Sequence, residues 1–218
     1  MMIFRFGAVL SLAAILAIWG RAPAVQQNSS LLFNGRDLSN FQFILANGNA
    51  DPSRTFVPNN GLLRITGRPF GFMYTARSYR NFALRYDWRY VATGVGPADA
   101  RLASGVLLRI QNPARGTAAG IWPQSIQVQG TNREPAKLVA LGAAELTNIV
   151  DDNAARRTAL RPLGQWNTTE VVVNGGSIVT RLNGVPIGSC MTNLTTGPIG
   201  IQSEGAAIDY QNIVIVER

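Results

Sequence analysis

Residues 82–90, FALRYDWRY, restrict the possible fold more than any other stretch of this chain. Every second residue is large and apolar or aromatic: Phe82, Leu84, Tyr86, Trp88 and Tyr90. A period of two places these side chains on one face of an extended strand, and Arg85, Asp87 and Arg89 on the other. The stretch therefore predicts a β-strand with one face in a core and one polar face.

Short segments with the same period recur along the chain, and turn residues separate them. They cover residues 38–45, 61–65, 72–75, 105–111, 125–129, 166–173, 177–182 and 185–189. Residues 174–176, Asn-Gly-Gly, are a strong turn signal. Residues 47–60 are interpreted as turns, 138–146 as a strand or a loop edge, and 151–158 as one helical turn. Many short strands with so little helix predict an all-β fold, a β-sandwich or jelly roll.

Residues 197–216 are interpreted as the last strand pair, two short runs around a Gly-Ala-Ala turn. In the first run Ile199 and Ile201 face one way, and Gln202 and Glu204 face the other. Such a strand belongs to a sheet that has one buried face and one polar face. The pair is expected to be the centre around which two antiparallel sheets are built.

Residues 1–24 have the composition of a secretory signal peptide. Arg5 gives a positive start, residues 7–20 are an apolar run, and residues 22–24, Ala-Pro-Ala, supply small residues before a cleavage point. The alternative is an uncleaved anchor, although the run is short for a full span. We predict a signal peptide (1–24), a linker (25–30), a single β-sandwich domain (31–218) and a secreted or periplasmic protein without stable membrane insertion after cleavage.

The absence of histidine from all 218 residues excludes several kinds of site. Ser-His and Cys-His nucleophiles and His-ligated zinc all need an imidazole. Cys190 is expected to be a small buried residue. The twelve carboxylates are dispersed, so neither a metal site nor a cofactor is predicted. The net charge of +8 is carried by scattered arginines, a pattern typical of a solvated surface and not of a nucleic-acid-binding face.

The polar faces of the predicted strands form one surface if those strands are neighbours. That surface would carry Asp87, Arg89, Arg109, Gln127, Gln129, Gln202 and Glu204. Planar amide and guanidinium groups form paired hydrogen bonds with adjacent sugar hydroxyls. Tyr74, Trp88 or Trp122 is a candidate for stacking on a pyranose ring. An ordinary solvated sheet face with cross-strand charge pairs explains the same pattern equally well.

Short blocks along residues 31–216 resemble the family of 3-keto-disaccharide hydrolase domains, also described as 3-keto-glucoside 1,2-lyase and hydratase domains. The blocks are LFNGRDL (32–38), GLL (61–63), YRNFALRYDWR (79–89), SGVLLR (104–109), WPQSIQVQ (122–129), RPLGQWN (161–167), LNG (182–184) and the stretch 197–215. Each block is weak alone, but their order makes the match specific. The resemblance implies a concanavalin/LamG-like jelly roll, secreted, that acts on 3-keto-glycosides as a hydrolase or lyase.

The family's chemistry implies roles for particular residues. A ketone at C3 acidifies the C2 proton, and removal of that proton gives an enolate that expels the C1 substituent before water adds back. On this pattern Glu204 is the first candidate for the base, Asp87 is the second, and Arg109 would stabilise the enolate. The remaining candidates would bind the carbohydrate: Arg89, Gln127, Gln129, Gln202, Tyr74 and Trp122.

The chain departs from the family pattern at three places. Ala103 stands where relatives commonly carry Asn, Gln127 stands where they commonly carry Glu, and residues 130–137 lack a histidine often found there. A non-catalytic carbohydrate-binding module is therefore the alternative function. The enzyme hypothesis predicts Glu204 close to Arg109 in a concave pocket. A binding module predicts an open polar groove with an exposed aromatic residue, and an interaction domain predicts a flat face.

Overall fold

The computed structural model describes residues 29–46, 48, 50–91, 102–113 and 120–218. Within these ranges the chain forms fifteen β-strands, one 3-10 turn (Pro52–Arg54) and one α-helix, α1 (Asn153–Ala159). The strands are β1 (Ser29–Leu31), β2 (Phe41–Leu45), β3 (Phe56–Asn59), β4 (Leu62–Ile65), β5 (Gly71–Thr75), β6 (Phe82–Tyr90), β7 (Gly105–Leu108), β8 (Ser125–Gln129), β9 (Leu138–Leu141), β10 (Leu146–Asp151), β11 (Asn167–Asn174), β12 (Ser177–Leu182), β13 (Val185–Thr192), β14 (Gly200–Ser203) and β15 (Ile208–Glu217).

Two antiparallel sheets contain these strands, which confirms the predicted all-β jelly-roll sandwich. The larger sheet has the order β10-β13-β12-β11-β6-β15-β4-β3, with β1 also paired to β15. The smaller sheet has the order β2-β5-β14-β7-β8-β9. The strand β6 lies between β11 and β15, so the alternating stretch 82–90 is at the centre of the larger sheet.

The main core lies between the two sheets. From the larger sheet it takes the alternating residues of β6 that the sequence predicts, including Phe82 and Leu84, which are almost fully buried. From the smaller sheet it takes Val106, Ile126 and Val128. Burial of apolar surface at about 25 cal/mol per Å² is the main favourable term for such a core. The outer faces of both sheets are thereby left for other functions.

The predicted last strand pair is wrong in one respect, because its two strands lie in opposite sheets. Strand β14 pairs with β5 and β7 in the smaller sheet, whereas β15 pairs with β6, β4 and β1 in the larger one. Residues 204–207 are therefore a crossover between sheets and not a hairpin turn. Ile199 and Ile201 still face the core, as the alternation predicts.

Three strands lie where the sequence predicted none. The first, β1, begins inside the predicted linker 25–30, so the sandwich includes Ser29 and Ser30. Strand β3 occupies part of the predicted turn region 47–60, and β10 precedes α1 at the edge of the larger sheet. The seven-residue α1 is the only α-helix in the described ranges and is too short to cross a bilayer. The predicted signal peptide lies outside the described residues.

Candidate functional site

The predicted polar surface is divided between the two sheets. Asp87 and Arg89 point from β6 to the outer face of the larger sheet, because their neighbours Tyr86, Trp88 and Tyr90 fill the core. The three predicted glutamines lie instead on the smaller sheet, in β8 and β14. The prediction of one continuous strip is therefore wrong, since alternation along a strand does not reveal which sheet the strand joins.

Gln127, Gln129 and Gln202 form a compact group on the outer face of the smaller sheet, which we call the glutamine cluster. The Nε2 amide of Gln127 donates to Oε1 of Gln129 at 3.0 Å and to Oε1 of Gln202 at 2.7 Å. The exposed fractions of the three side chains are 5%, 9% and 1% respectively. Strand β7 lies between β8 and β14, so the Gln127–Gln202 hydrogen bond crosses it.

Gly105 on β7 makes that crossing possible. It is opposite Gln129 in the register of β7 and β8. A Cβ atom at this position would lie 2.4 Å from Oε1 of Gln202 and 2.8 Å from Nε2 of Gln127. These separations are too short for non-bonded atoms, so any side chain at residue 105 would displace the amides. The glutamine cluster therefore depends on a glycine that the sequence analysis did not single out.

An apolar patch lies on the same face of the smaller sheet. It is a second buried cluster of Ile44, Phe72, Tyr74, Leu107 and Ile110, and the partly buried Trp122 packs against it. The Phe72 ring is 5.7 Å from that of Tyr74 and 6.3 Å from that of Trp122. The Tyr74 hydroxyl donates to Oε1 of Gln42 at 2.6 Å. The face thus combines amides with aromatic rings.

Trp88, the remaining stacking candidate, does not reach this face. It is 4% exposed in the main core, and its indole Nε1 donates to Oγ1 of Thr169 at 3.0 Å. The proposal that it stacks on a sugar at the glutamine face is therefore wrong. Trp122 and Tyr74 remain as candidates on the smaller sheet.

Asp87 is held in place on the outer face of the larger sheet. Its Oδ1 accepts from Oγ1 of Thr168 at 2.6 Å, and its Oδ2 accepts from Nδ2 of Asn212 at 2.7 Å. The carboxylate is therefore a hydrogen-bonded part of that sheet, on the opposite side of the sandwich from the glutamine cluster. This position contradicts its candidacy as a second base for a sugar bound there.

Arg109 turns away from the glutamine cluster as well. Its guanidinium is fully buried and donates to the backbone carbonyls of Leu194, Gly175 and Arg80. Burial is the main cause that lowers the pKa of Arg109, and the charge of Arg80 adds to this. The φ of Arg109 is +54°, a left-handed conformation that breaks the alternation after Leu108. As a result Ile110, which strict alternation with Val106 and Leu108 would place in the core, lies in the outer apolar patch.

Glu204 lies at the other end of the smaller sheet from Arg109. Strand β14 pairs Gly200 with Leu107 and Ile201 with Val106. The same register continued places Glu204 opposite residue 103, six residues and about 20 Å from Arg109 at roughly 3.3 Å per residue. The predicted Glu204–Arg109 proximity is therefore wrong.

The surroundings of Glu204 are instead a pair of buried hydroxyls. Oγ of Ser104 lies 3.0 Å from the Tyr210 hydroxyl and donates to the carbonyl of Gln202 at 3.0 Å. Burial raises the pKa of Tyr210, and the negative charge of Glu204 adds to the rise. Glu204 itself is half-buried, two residues beyond Gln202. It is thus the candidate acid or base that lies nearest along the chain to the glutamine cluster.

The described residues contain no group of three or more His, Cys, Asp or Glu side chains suited to hold a metal ion. What the smaller sheet offers to a ligand is amide donors and acceptors, hydroxyls and aromatic rings, with the Glu204 carboxylate at its margin. This set can bind sugar hydroxyls and stack on a pyranose ring.

A cavity of about 590 Å³, which the sequence analysis did not anticipate, lies at one end of the sandwich. It is bounded by Trp88 and Tyr90, by the residues after β8 and by the segment that joins α1 to β11. The residues that form it are far apart in sequence, at 88–90, 132–133 and 157–167. No spacing pattern within any one of these segments signals a cavity.

A comparison with family models matches residues 28–216 to the 3-keto-alpha-glucoside-1,2-lyase-like domain. The chain belongs to this family. The match covers both sheets and every described residue from Ser29 to Val216, so the 3-keto-alpha-glucoside-1,2-lyase-like domain accounts for the whole sandwich. A comparison with curated proteins gave no significant match.

Solved structures show the same fold at low sequence identity. Two proteins from Parabacteroides distasonis, each assigned as a glycosyl hydrolase, superpose with TM-scores of 0.60 and 0.58 at 20% and 18% identity. The first alignment covers 88% of this chain and 100% of that one, and the second covers 87% and 94%. A Bacillus subtilis protein with a galectin-like fold has a TM-score of 0.57 at 11% identity, over 88% of this chain and 97% of its own.

Proposed function

We propose that this 3-keto-alpha-glucoside-1,2-lyase-like domain binds a 3-keto-glycoside on the outer face of the smaller sheet, through the glutamine cluster. The observation that carries the proposal is the pair of amide hydrogen bonds that Gln127 donates across Gly105, beside the rings of Tyr74 and Trp122. Gln129 and Gln202 accept these bonds through Oε1, and each retains an Nε2 amide group outside them. The Gln129 amide, which is the more exposed of the two, is suited to donate to the ketone or a hydroxyl oxygen of a sugar.

Burial strengthens the case for a specific function of the cluster. Hydrogen bonds are stronger in a low-dielectric surrounding, and a buried amide without a partner is costly. Gln129, at 9% exposed, is the most accessible of the three, and we assign it direct contact with the sugar. Gln127 then positions the other two amides. The absence of a carboxylate from the cluster favours binding over chemistry at the glutamines themselves.

The test is a calorimetric titration of the purified protein with methyl 3-keto-α-glucoside, beside methyl α-glucoside. Gln129→Ala removes a direct contact and should weaken binding about tenfold, as loss of a hydrogen bond of about 1.4 kcal/mol does. Gln211→Ala is the matched control, because Gln211 lies on β15 in the larger sheet. Absence of binding, or equal affinity in both variants, would show that the face is structural.

A second candidate function is elimination from the bound sugar, with Glu204 as the base. The specific observation in its favour is the position of Glu204 directly after β14, half-buried and two residues from Gln202. Burial raises the pKa of the nearby Tyr210, and the charge of Glu204 adds to the rise. The Glu204 carboxylate would take the C2 proton, and the electron pair would form the enolate at C3. The enolate would then collapse to a ketone with a C1=C2 double bond as the C1–O bond breaks, and the leaving oxygen would take the proton back from Glu204. Turnover abolished in Glu204→Gln and kept in Glu170→Gln would establish this step. Binding without turnover in the wild type would exclude it.

A further inference from the structure

The cavity at the end of the sandwich carries strong positive charge. Three of its lining residues are arginines, Arg133, Arg157 and Arg161, and none of the lining residues is Asp or Glu. Arg161 is fixed there because its Nη1 donates to the carbonyl of Trp166 at 3.0 Å. Arg157 lies in the last turn of α1, and no ion pair or hydrogen bond of its side chain is found within the described part of the chain. Three guanidiniums around one cavity favour an anionic ligand.

The floor of the same cavity is apolar and aromatic. Trp88 and Tyr90 line it, and their polar atoms are engaged elsewhere. The indole Nε1 of Trp88 donates to Thr169, and the Tyr90 hydroxyl donates to the carbonyl of Gly130. The surface that these rings present to the cavity is therefore carbon. Leu163, with 56% of its surface exposed, extends this apolar lining at the rim.

A ligand that matches both the arginines and the apolar floor carries an anionic group on a ring that has an apolar face. A pyranose has such a face, since its axial C–H groups form an apolar surface that packs on apolar side chains. A carboxylate matches the planar fork of a guanidinium and accepts two parallel hydrogen bonds from it. A volume of about 590 Å³ lies within the usual range for small-molecule sites.

We propose that this cavity is a second carbohydrate site, which binds a carboxylate-bearing pyranose, that is, a uronic acid unit. The site shares no residue with the glutamine cluster and does not depend on the function proposed for that cluster. Arg157 and Arg161 bind the carboxylate, and the sugar packs on the apolar rim formed by Leu160, Pro162 and Leu163. The nearly buried rings of Trp88 and Tyr90 close the cavity beneath it. The protein thereby selects for acidic carbohydrates at one end of the sandwich.

The experiment titrates the purified protein with the methyl glycosides of glucuronic, galacturonic and mannuronic acid. The neutral methyl glucoside, galactoside and mannoside are run in parallel, together with inorganic phosphate. At least one uronide should bind at least tenfold more tightly than its neutral counterpart, and its affinity should fall as salt is raised. Arg157→Gln should weaken that binding about tenfold or more, and Arg161→Gln by a similar factor.

The matched control is Arg181→Gln, an exposed arginine on β12 that lies outside the cavity. It should leave the uronide affinity unchanged. The proposal is overturned if no uronide exceeds its neutral counterpart, or if Arg157→Gln and Arg181→Gln behave alike. Equal binding of phosphate and uronide overturns it too, because the site would then recognise an anion without the sugar. Gln129→Ala should leave uronide binding intact, which separates this site from the glutamine cluster.

Discussion

The carboxylate of Asp209 accepts two parallel hydrogen bonds from the guanidinium of Arg64, at 2.8 and 3.0 Å. The same carboxylate accepts from Arg89 at 3.3 Å, and the Arg89 guanidinium lies 4.5 Å from the ring centre of Trp166. The Arg64–Asp209 pair links β4 to β15, and the Arg89–Asp209 hydrogen bond links β15 to β6. Asp209 raises the pKa of Arg64, chiefly through this hydrogen bonding. Three neighbouring strands of the larger sheet are thus linked by one carboxylate that is 1% exposed.

Asp209→Asn should lower the free energy of unfolding by about 2 kcal/mol, because hydrogen bonds to charged groups contribute about 1.5–3 kcal/mol. The loss stays moderate because the Arg64 side chain is 46% exposed and water replaces part of the interaction. Denaturant unfolding measures the change. The control variant Glu170→Gln, on the same outer face of the larger sheet, should change the free energy of unfolding by less than about 0.5 kcal/mol. Equal effects of the two variants would contradict the linking role of Asp209.

Arg109→Met should destabilise the protein by about 3 kcal/mol or more, since three backbone carbonyls lose one charged donor that is itself fully buried. It should leave sugar affinity unchanged in the folded protein, because the Arg109 guanidinium is bound to the carbonyls of Leu194, Gly175 and Arg80 and not to the glutamine cluster. Denaturant unfolding and calorimetric titration below the unfolding midpoint give the two values. A variant with native stability and lost binding or turnover would restore Arg109 as a site residue.

Gly105→Ala should abolish binding of the 3-keto-glycoside at the glutamine cluster while the protein still unfolds cooperatively. The new methyl group occupies the space in which the amides of Gln127 and Gln202 meet, at 2.8 and 2.4 Å. Thermal unfolding checks the fold, and calorimetry checks binding. The uronide site should be unaffected. Retained affinity at the glutamine cluster would show that its geometry is not needed for the sugar.

Stability should fall between about pH 9 and pH 11 because of Cys190. Burial raises the pKa of this thiol from 9.0 to about 11, and the Arg109 charge opposes the rise. In that interval the unfolded chain has lost the proton and the folded protein keeps it, so stability declines as pH rises. The decline should reach at most about 2–3 kcal/mol. The free energy of unfolding of the wild type and of Cys190→Ala, measured across this pH range, separates the contribution of the thiol from that of the tyrosines. If stability falls with pH equally in both proteins, Cys190 is not the cause.

The sequence predicted the faces of individual strands well. The alternation in β6 and β8 assigned the core side and the outer side correctly, because period two is a local property of extended backbone. The alternation failed at Arg109, where a φ of +54° reverses which face the following side chains point to. No pattern of residue types predicts a left-handed conformation at an arginine. The resemblance to the 3-keto-disaccharide hydrolase family is confirmed by the match over residues 28–216.

Sheet membership was the part that the sequence did not reveal. Asp87 and Gln127 both occupy polar positions of alternating strands, yet they lie on opposite outer faces of the sandwich. Strand partners are determined by contacts between segments far apart in the chain. The pairing of β1 with β15 joins the first and the last of the described strands. The edge strand β10 was missed for a related reason, since its residues are mostly exposed and show no buried face.

The position of β15 has a consequence for how the chain acquires its fold. This strand is the last of the fifteen described, yet it lies inside the larger sheet, between β6 and β4. Until it is synthesised, both of those strands have an open edge, and the larger sheet remains in two parts. Contacts between such distant segments form slowly. A chain cut before residue 208 should therefore yield no folded fragment, and the native structure should form only after residues 208–217 have been synthesised.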